Sequence, residues 1–264
     1  MKIGIIGLGV VGNAVKHGLE KIGHEVPTYD IKHLDTKLAD VLDTELCFIS
    51  VPTPCDADGA CDTSVVASVV QDLERAAYRG LVVIKSTVTP GTTDHLSKST
   101  SLRLAFCPEF LRERAAYTDF VENHDVCAIG AYAHVDFELI RLAHGTLPKN
   151  VVHLTPTEAE LTKYFSNIFN ALRIIFANEF YDVAQALGAD YTKIKNAMVN
   201  RSNITDVYLD CNENFRGFGG VCLPKDTQAF ASLVKQLGLD LKLFETIVEE
   251  NKKFKRTVPD GMRP

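Results

Sequence analysis

Five consecutive residues, Cys222 to Asp226, bring a thiol, an ammonium and a carboxylate together at the end of a glycine-rich run, Gly217-Phe218-Gly219-Gly220-Val221-Cys222-Leu223-Pro224-Lys225-Asp226-Thr227. Glycines at this density let the backbone turn tightly and approach a ligand. Cys222 is read as a nucleophile, because the thiolate is the reactive form and a cation or a helix N-terminus favours it. Lys225 and a helix-like run beginning after Asp226 supply both influences. Lys225 has two readings, a cation that favours the thiolate or a partner for phosphate. A second pair, Lys163 and Asn167, lies four residues apart in a helical pattern and shares a face. Such a pair ordinarily points to water. Glu109 and Glu113 have the same spacing, so any helical turn there would stack two like charges, either as solvated glutamates or in use by a ligand.

The elements that must position these groups begin at residue 2. Lys2 to Ile6 is a short apolar strand, followed by Gly7-Leu8-Gly9-Val10-Val11-Gly12 and a helical run from Asn13 to Lys21. That order is the dinucleotide fingerprint: one glycine for the turn, one for pyrophosphate approach and one for packing, with the helix amides of Val10 and Val11 nearby. A second strand from Glu25 ends at Asp30, placed to accept hydrogen bonds from ribose hydroxyls. This favours NAD over NADP, although the neighbouring Lys32 would suit a 2′-phosphate. Leu46–Val51 and Leu81–Lys85 read as buried parallel strands, ending in Pro52-Thr53-Pro54 and Ser86-Thr87 at the edge where open parallel sheets bind ligands. Leu102–Phe106 is a further strand, and Asp125–Gly130 is expected to be the last. A helix from Thr157 to Leu187 has no internal glycine or proline, starts at Thr155-Pro156-Thr157-Glu158 and stops at Gly188. Further helices are expected over 191–199, 227–237 and 241–254.

The expected fold is therefore α/β, a Rossmann-type parallel-sheet domain over 1–153 followed by an all-helical domain over 154–250 built on one long helix, with 251–264 a basic, turn-rich tail. From Asn170 to Tyr181 the long helix is apolar on most turns, so a second copy of the chain is expected to bury it. Net charge is -6 with the basic residues scattered, which speaks against nucleic acid, and no apolar run is long enough for a membrane span. The N-terminus enters a strand at once rather than a signal peptide, so a cytoplasmic location is expected. Seven cysteines at scattered spacings make no disulfide framework, and Cys55 and Cys61 flank a glycine turn with no His or Cys cluster nearby, so no metal is expected.

The run GFGGVCLPKDT resembles the active-site segment of the UDP-glucose and GDP-mannose 6-dehydrogenases. Five further stretches match in the same order: the fingerprint, SVPTP at 50–54, STV with the following Pro and GT at 86–92, PEFL with a glutamate at 108–113, and E-L-x-K-x-x-x-N at 160–167. The resemblance implies NAD as cofactor and a nucleotide sugar as substrate. It implies cofactor contacts from Val51, Pro52, Thr53, Ser86 and Lys225, and a catalytic water held by Thr87 with Asp226. Glu109 would serve acid–base steps and Glu113 would lie near the nicotinamide. Lys163 and Asn167 would stabilise oxyanions, and Glu109, Phe110, Leu111, Phe218 and Gly219 would shape the substrate site beside Cys222. Full members of that family carry a further nucleotide-binding domain after the linker, where this chain ends. UDP-glucose is the expected substrate, with GDP-mannose the alternative. Two rivals are the beta-hydroxyacid dehydrogenases, which need no cysteine, and a non-catalytic NAD-binding or partner subunit.

Overall fold

The computed structural model describes residues 1–56 and 59–254. Its contacts divide the chain into two units, one of Met1–Asp56 with Cys61–Lys163, the other comprising essentially everything from Tyr164 onward.

The first unit is a seven-stranded sheet with helices on both faces. In chain order it contains β1 (Ile3–Ile6), α1 (Val10–Lys21), β2 (Thr28–Tyr29), β3 (Leu46–Ile49), α2 (Ser64–Arg75), β4 (Leu81–Ile84), α3 (Thr92–Ser97), β5 (Arg103–Phe106), α4 (Ala116–Val121), β6 (Val126–Ala131), α5 (His134–His144) and β7 (Asn150–Leu154). Strand order is β2-β1-β3-β4-β5-β6-β7, parallel throughout except for the antiparallel β5–β6 pair. β3 and β4 are apolar and buried at every position, as strands covered on both faces are. Phe48 and Val83 enter one core with α1, α4 and α5, while Cys47, Ile49, Val82 and Ile84 enter the other with α2.

Two expectations about this unit change. Asp125–Gly130 is not the last strand, since β7 follows and pairs with β6 from Val126↔Asn150 to Gly130↔Leu154. It is a largely exposed edge strand, so it lacks the buried apolar run that identifies its neighbours. The second strand shrinks to Thr28–Tyr29, because Pro27 has no N–H to give a ladder.

The second unit consists of most of α6 (Pro156–Ala186), then α7 (Tyr191–Met198), α8 (Cys222–Gln236) and α9 (Lys242–Lys253). The long helix matches its expected span within one residue at each end. α8 starts five residues before the expected Thr227, so Cys222, Leu223, Pro224, Lys225 and Asp226 are its opening turns rather than a loop. Proline is tolerated there because first-turn amides have no intrahelical partner. α9 takes in the first three residues of the segment expected as a tail, and residues 255–264 lie outside the described residues.

Candidate active site

At the N-terminal turn each glycine has its own constraint. Gly7 has φ +94°, and a Cβ there would lie 2.5 Å from the Ser50 carbonyl oxygen. A Cβ on Gly12 would sit 1.9 Å from the Gly7 oxygen, so the helix can lie against the strand only if this residue has no side chain. Gly9 has nothing within 4 Å of its absent Cβ and faces open space, the room that a pyrophosphate needs. Val10 and Val11 open α1, whose first amides are available to an anion. Asp30 follows β2 directly; its Oδ2 accepts from the Leu8 N–H at 2.6 Å and its Oδ1 from the Lys32 N–H at 2.8 Å. Partial burial alone would raise its pKa, but these two amides outweigh that and hold the carboxyl below its usual range. An ionised acid at the end of β2 suits a ribose diol and repels a 2′-phosphate.

The loops after β3 and β4 are tied together by hydroxyls. Ser86 Oγ donates to the Val51 oxygen at 2.7 Å, and Thr53 Oγ1 donates to the Thr87 oxygen at 2.7 Å. The Ser86 N–H is also taken, by the Ile49 oxygen at 3.1 Å. Ser86 therefore shapes the rim at which Val51, Pro52 and Thr53 lie. Thr87 is half-buried beside them.

Glu109 and Glu113 do not stack. Residues 107–112 belong to no helix or strand and Glu113 begins a single 3₁₀ turn, so the four-residue spacing has no helix to act through. Glu109 instead meets Lys163: Nζ donates to Glu109 Oε1 at 2.9 Å and to the Glu109 carbonyl at 2.7 Å, and lies 5.8 Å from the Phe110 ring centroid. The Leu111 N–H donates to the other carboxylate oxygen at 2.5 Å. Both charged side chains are almost wholly buried. The pair spans 54 residues of sequence, and its two members had been assigned separate roles.

In the second unit Cys222 is the first residue of α8 and is exposed. Asp226, one turn on, is buried; its Oδ2 accepts from Asn167 Nδ2 at 2.6 Å and its Oδ1 lies 2.7 Å from Lys225 Nζ. Lys225 thus pairs with the neighbouring acid, a third arrangement beside the two that its position suggested. Phe218 is buried, so its ring anchors the glycine run to the core. Gly217 and Gly220 adopt φ +60° and +74°, which side-chain-bearing residues avoid.

Two asparagines that pattern reading missed hold this run. Asn251 in α9 makes a reciprocal pair with Phe218: its Oδ1 accepts from the Phe218 N–H at 2.8 Å and its Nδ2 donates to the Phe218 oxygen at 2.9 Å. Asn178 in α6 accepts through Oδ1 from the Gly217 N–H at 3.0 Å and from Arg216 Nε at 2.7 Å. Arg216 also donates to Asp182 at 2.8 Å. The one signal available was Asn178 itself, a polar residue in an apolar stretch.

Residues 32–143 match the NAD binding domain, and residues 157–253 the central domain, of the UDP-glucose/GDP-mannose dehydrogenase family. The chain belongs to that family. The family match also removes the beta-hydroxyacid rival, and the cofactor of the first unit is NAD. A UDP-glucose 6-dehydrogenase of Rickettsia bellii is 34% identical over 218 residues, 79% of this chain and 49% of that protein. UDP-glucose 6-dehydrogenase TuaD of Bacillus subtilis is 29% identical over 99% of this chain and 65% of its own length. The structure of a UDP-glucose dehydrogenase from the archaeon Pyrobaculum islandicum superposes with a TM-score of 0.86 at 30% identity, covering 96% of this chain and 68% of that one. The chain thus spans about half to two thirds of the length of these relatives. No helix among the described residues is long and apolar enough to cross a membrane.

Proposed function

We propose that this chain oxidises the C6 alcohol of a nucleotide sugar, UDP-glucose, to the carboxylate through a covalent intermediate on Cys222. The observation that carries the reading is the exposed Cys222 thiol on the first turn of α8, with the buried Asp226 one turn behind it in the grip of Asn167. A thiol at a helix N-terminus lies among amides that favour its anion.

NAD, when bound, accepts the hydride in each of the two oxidations. The residues of the chain move protons and hold the carbon. The alcohol loses its proton to a base through a water as the aldehyde forms, the step to which Thr87 and Asp226 are assigned. The Cys222 thiolate then adds to the aldehyde carbon, forming the C–S bond of a thiohemiacetal, and the oxyanion is stabilised by Lys163 and Asn167. Loss of the second hydride leaves a thioester. Glu109 deprotonates the water that attacks it, the C–S bond breaks, and the thiolate is regenerated with the carboxylate product. The buried Lys163–Glu109 pair brings the two groups together, with Lys163 Nζ donating to Glu109 Oε1 at 2.9 Å. Gly7, Gly9, Gly12, Val10, Val11 and Asp30 hold the cofactor, with Val51, Pro52, Thr53, Ser86 and Glu113 at its rim. Lys32 and Lys225 are assigned to the cofactor as cations.

The test is NADH production by the purified chain, with UDP-glucose and GDP-mannose supplied separately. Two NADH per UDP-glucose, abolished in Cys222→Ser, is the expected result. Turnover of GDP-mannose alone would reassign the substrate. NAD binding without turnover of either would make the chain a cofactor-binding partner subunit.

The chain also works as a homodimer in this reading. Phe165, Phe169, Phe176 and Phe180 line α6 with 75, 49, 56 and 41% of their surface exposed, a stripe of aromatic rings that a second copy would cover. Sedimentation should show a dimer, and Phe176→Glu should shift it towards monomer.

A further inference from the structure

The first unit holds a group of polar side chains that the proposed reaction does not use. Cys107 follows β5, Cys127 lies in β6 and His144 ends α5. None is more than 1% exposed. The two sulfurs are 3.8 Å apart, and both lie within 4.8 Å of a ring nitrogen of His144. Lys85, 3% exposed, brings its Nζ to 3.5 Å from Cys107 Sγ and 3.4 Å from the Pro108 oxygen. Rings close the surroundings: Phe48 lies 5.6 Å and Phe120 6.0 Å from the His144 ring centroid.

A buried cysteine alone is a small apolar residue and needs no explanation. A wholly buried histidine does, because a ring nitrogen left without a partner in an apolar core forfeits its hydrogen bond to water. His144 Nδ1 meets the Ile140 oxygen at 2.9 Å, which fixes the ring hydrogen on Nδ1. Nε2 is left with its lone pair and no hydrogen-bond partner among the described residues. Donation of one ring N–H to a backbone carbonyl while the other nitrogen faces inward is the usual posture of a metal-ligating histidine. The sulfur spacing agrees: with metal–sulfur bonds of about 2.3 Å, two thiolates on one ion lie about 3.8–4.0 Å apart, from tetrahedral to trigonal angles.

The geometry points to a buried binding site for a thiophilic closed-shell cation, Cu⁺ or Zn²⁺, ligated by Cys107 Sγ, Cys127 Sγ and His144 Nε2. Binding replaces the two thiol protons, which leave to solvent, with two metal–sulfur bonds. Charge favours the monovalent ion. Two thiolates and the Lys85 ammonium sum to one negative charge, which Cu⁺ neutralises, whereas Zn²⁺ would leave a positive charge in an apolar core. Coordination number agrees, since closed zinc sites take four protein ligands and three are present here. The donors come from three elements with no local spacing motif, which is why no cluster was visible in the sequence. An ion here would pin the start of the segment that carries Glu109, two residues beyond Cys107. Because the ligands are sealed from solvent, loading must accompany folding.

The full chain should therefore be expressed in medium supplemented with copper or with zinc, purified without oxygen in the presence of a chelator, and assayed for metal. About one ion per chain is expected, retained in Cys222→Ser and lost in Cys107→Ala/Cys127→Ala and in His144→Gln. Should those variants fail to fold, X-ray absorption on the wild-type chain decides: two sulfurs and one nitrogen around the ion support the site. The medium that loads the chain distinguishes the two ions. The assignment is overturned if neither medium loads the wild type, if the folded double variant keeps its metal, if the absorption spectrum shows other ligands, or if peptide mapping finds a Cys107–Cys127 disulfide.

Discussion

The turn at Gly7–Gly12 and the run at Gly217–Cys222 are both glycine-rich approaches to a helix N-terminus, yet they are held in different ways. The first is fixed by its own backbone, with Gly12 against the Gly7 oxygen and Gly7 against the Ser50 oxygen. The second is held from a distance by Asn178 on α6 and Asn251 on α9, whose amides satisfy the buried peptide groups of Gly217 and Phe218. A third segment, following β5, lies between these extremes, held by the Arg112–Asp119 ion pair in which both the Nε and a terminal nitrogen of Arg112 donate, at 2.9 and 2.6 Å. A self-fixed turn can be specified by a few adjacent residues. A remotely held loop depends on the fold being complete.

The contrast is broken first at Gly12. Gly12→Ala puts a methyl 1.9 Å from a backbone oxygen that cannot swing away, so it should cost about 3 kcal/mol or more and abolish NAD binding. Wild-type stability in thermal unfolding would show that the turn is not fixed by its backbone. Asn251→Ala strands a buried N–H and a buried carbonyl of Phe218 and should cost about 2–4 kcal/mol in denaturant unfolding. It should lower turnover while leaving NAD affinity near wild type; equal loss of both would erase the distinction between the two regions.

The ion pair gives a pH signature. Burial alone would raise the Asp119 pKa, but hydrogen bonds from Arg112, from its own N–H and from Asn123 bring it down to about 2. Its folded pKa lies below the unfolded value, so its contribution is complete above about pH 4 and is lost as pH falls towards 2. That contribution is about 1–2 kcal/mol, discounted because Arg112 is half exposed. Asp119→Asn should flatten that part of the stability–pH curve. The smallest effect on stability belongs to Gly9→Ala, where nothing lies within 4 Å: unfolding should shift by less than about 0.5 kcal/mol while NAD affinity falls about tenfold, read by titration.

What the sequence revealed follows the same division. The fingerprint was legible because turn, approach and packing are all encoded within six residues, and the central strands because burial on both faces makes them continuously apolar. β7 was missed because Asn150–Leu154 is an exposed edge with no such run. The start of α8 was missed because Pro224 reads as a breaker, although it lies in a first turn that tolerates it. The Cys222 run stood out by residue type, but its supports did not, since Asn251 lies 33 residues from Phe218 and fell in a segment of linker-like composition. The Lys163–Glu109 contact was invisible for the same reason.

Glu160, near the start of α6, is buried, and its carboxylate accepts from the Gly91 N–H at 2.5 Å and from the N–H and hydroxyl of Thr93 at 2.9 and 2.6 Å. It caps α3, a six-residue helix with no side-chain cap of its own. During synthesis the ribosome releases β4, α3 and β5 well before it releases residue 160. Until then the first amides of α3 have only water as acceptor, and a helix this short has little independent stability. The nucleotide-binding unit should therefore mature late on the ribosome, and a chain cut at the end of β7 should carry a frayed α3 beside an otherwise formed sheet.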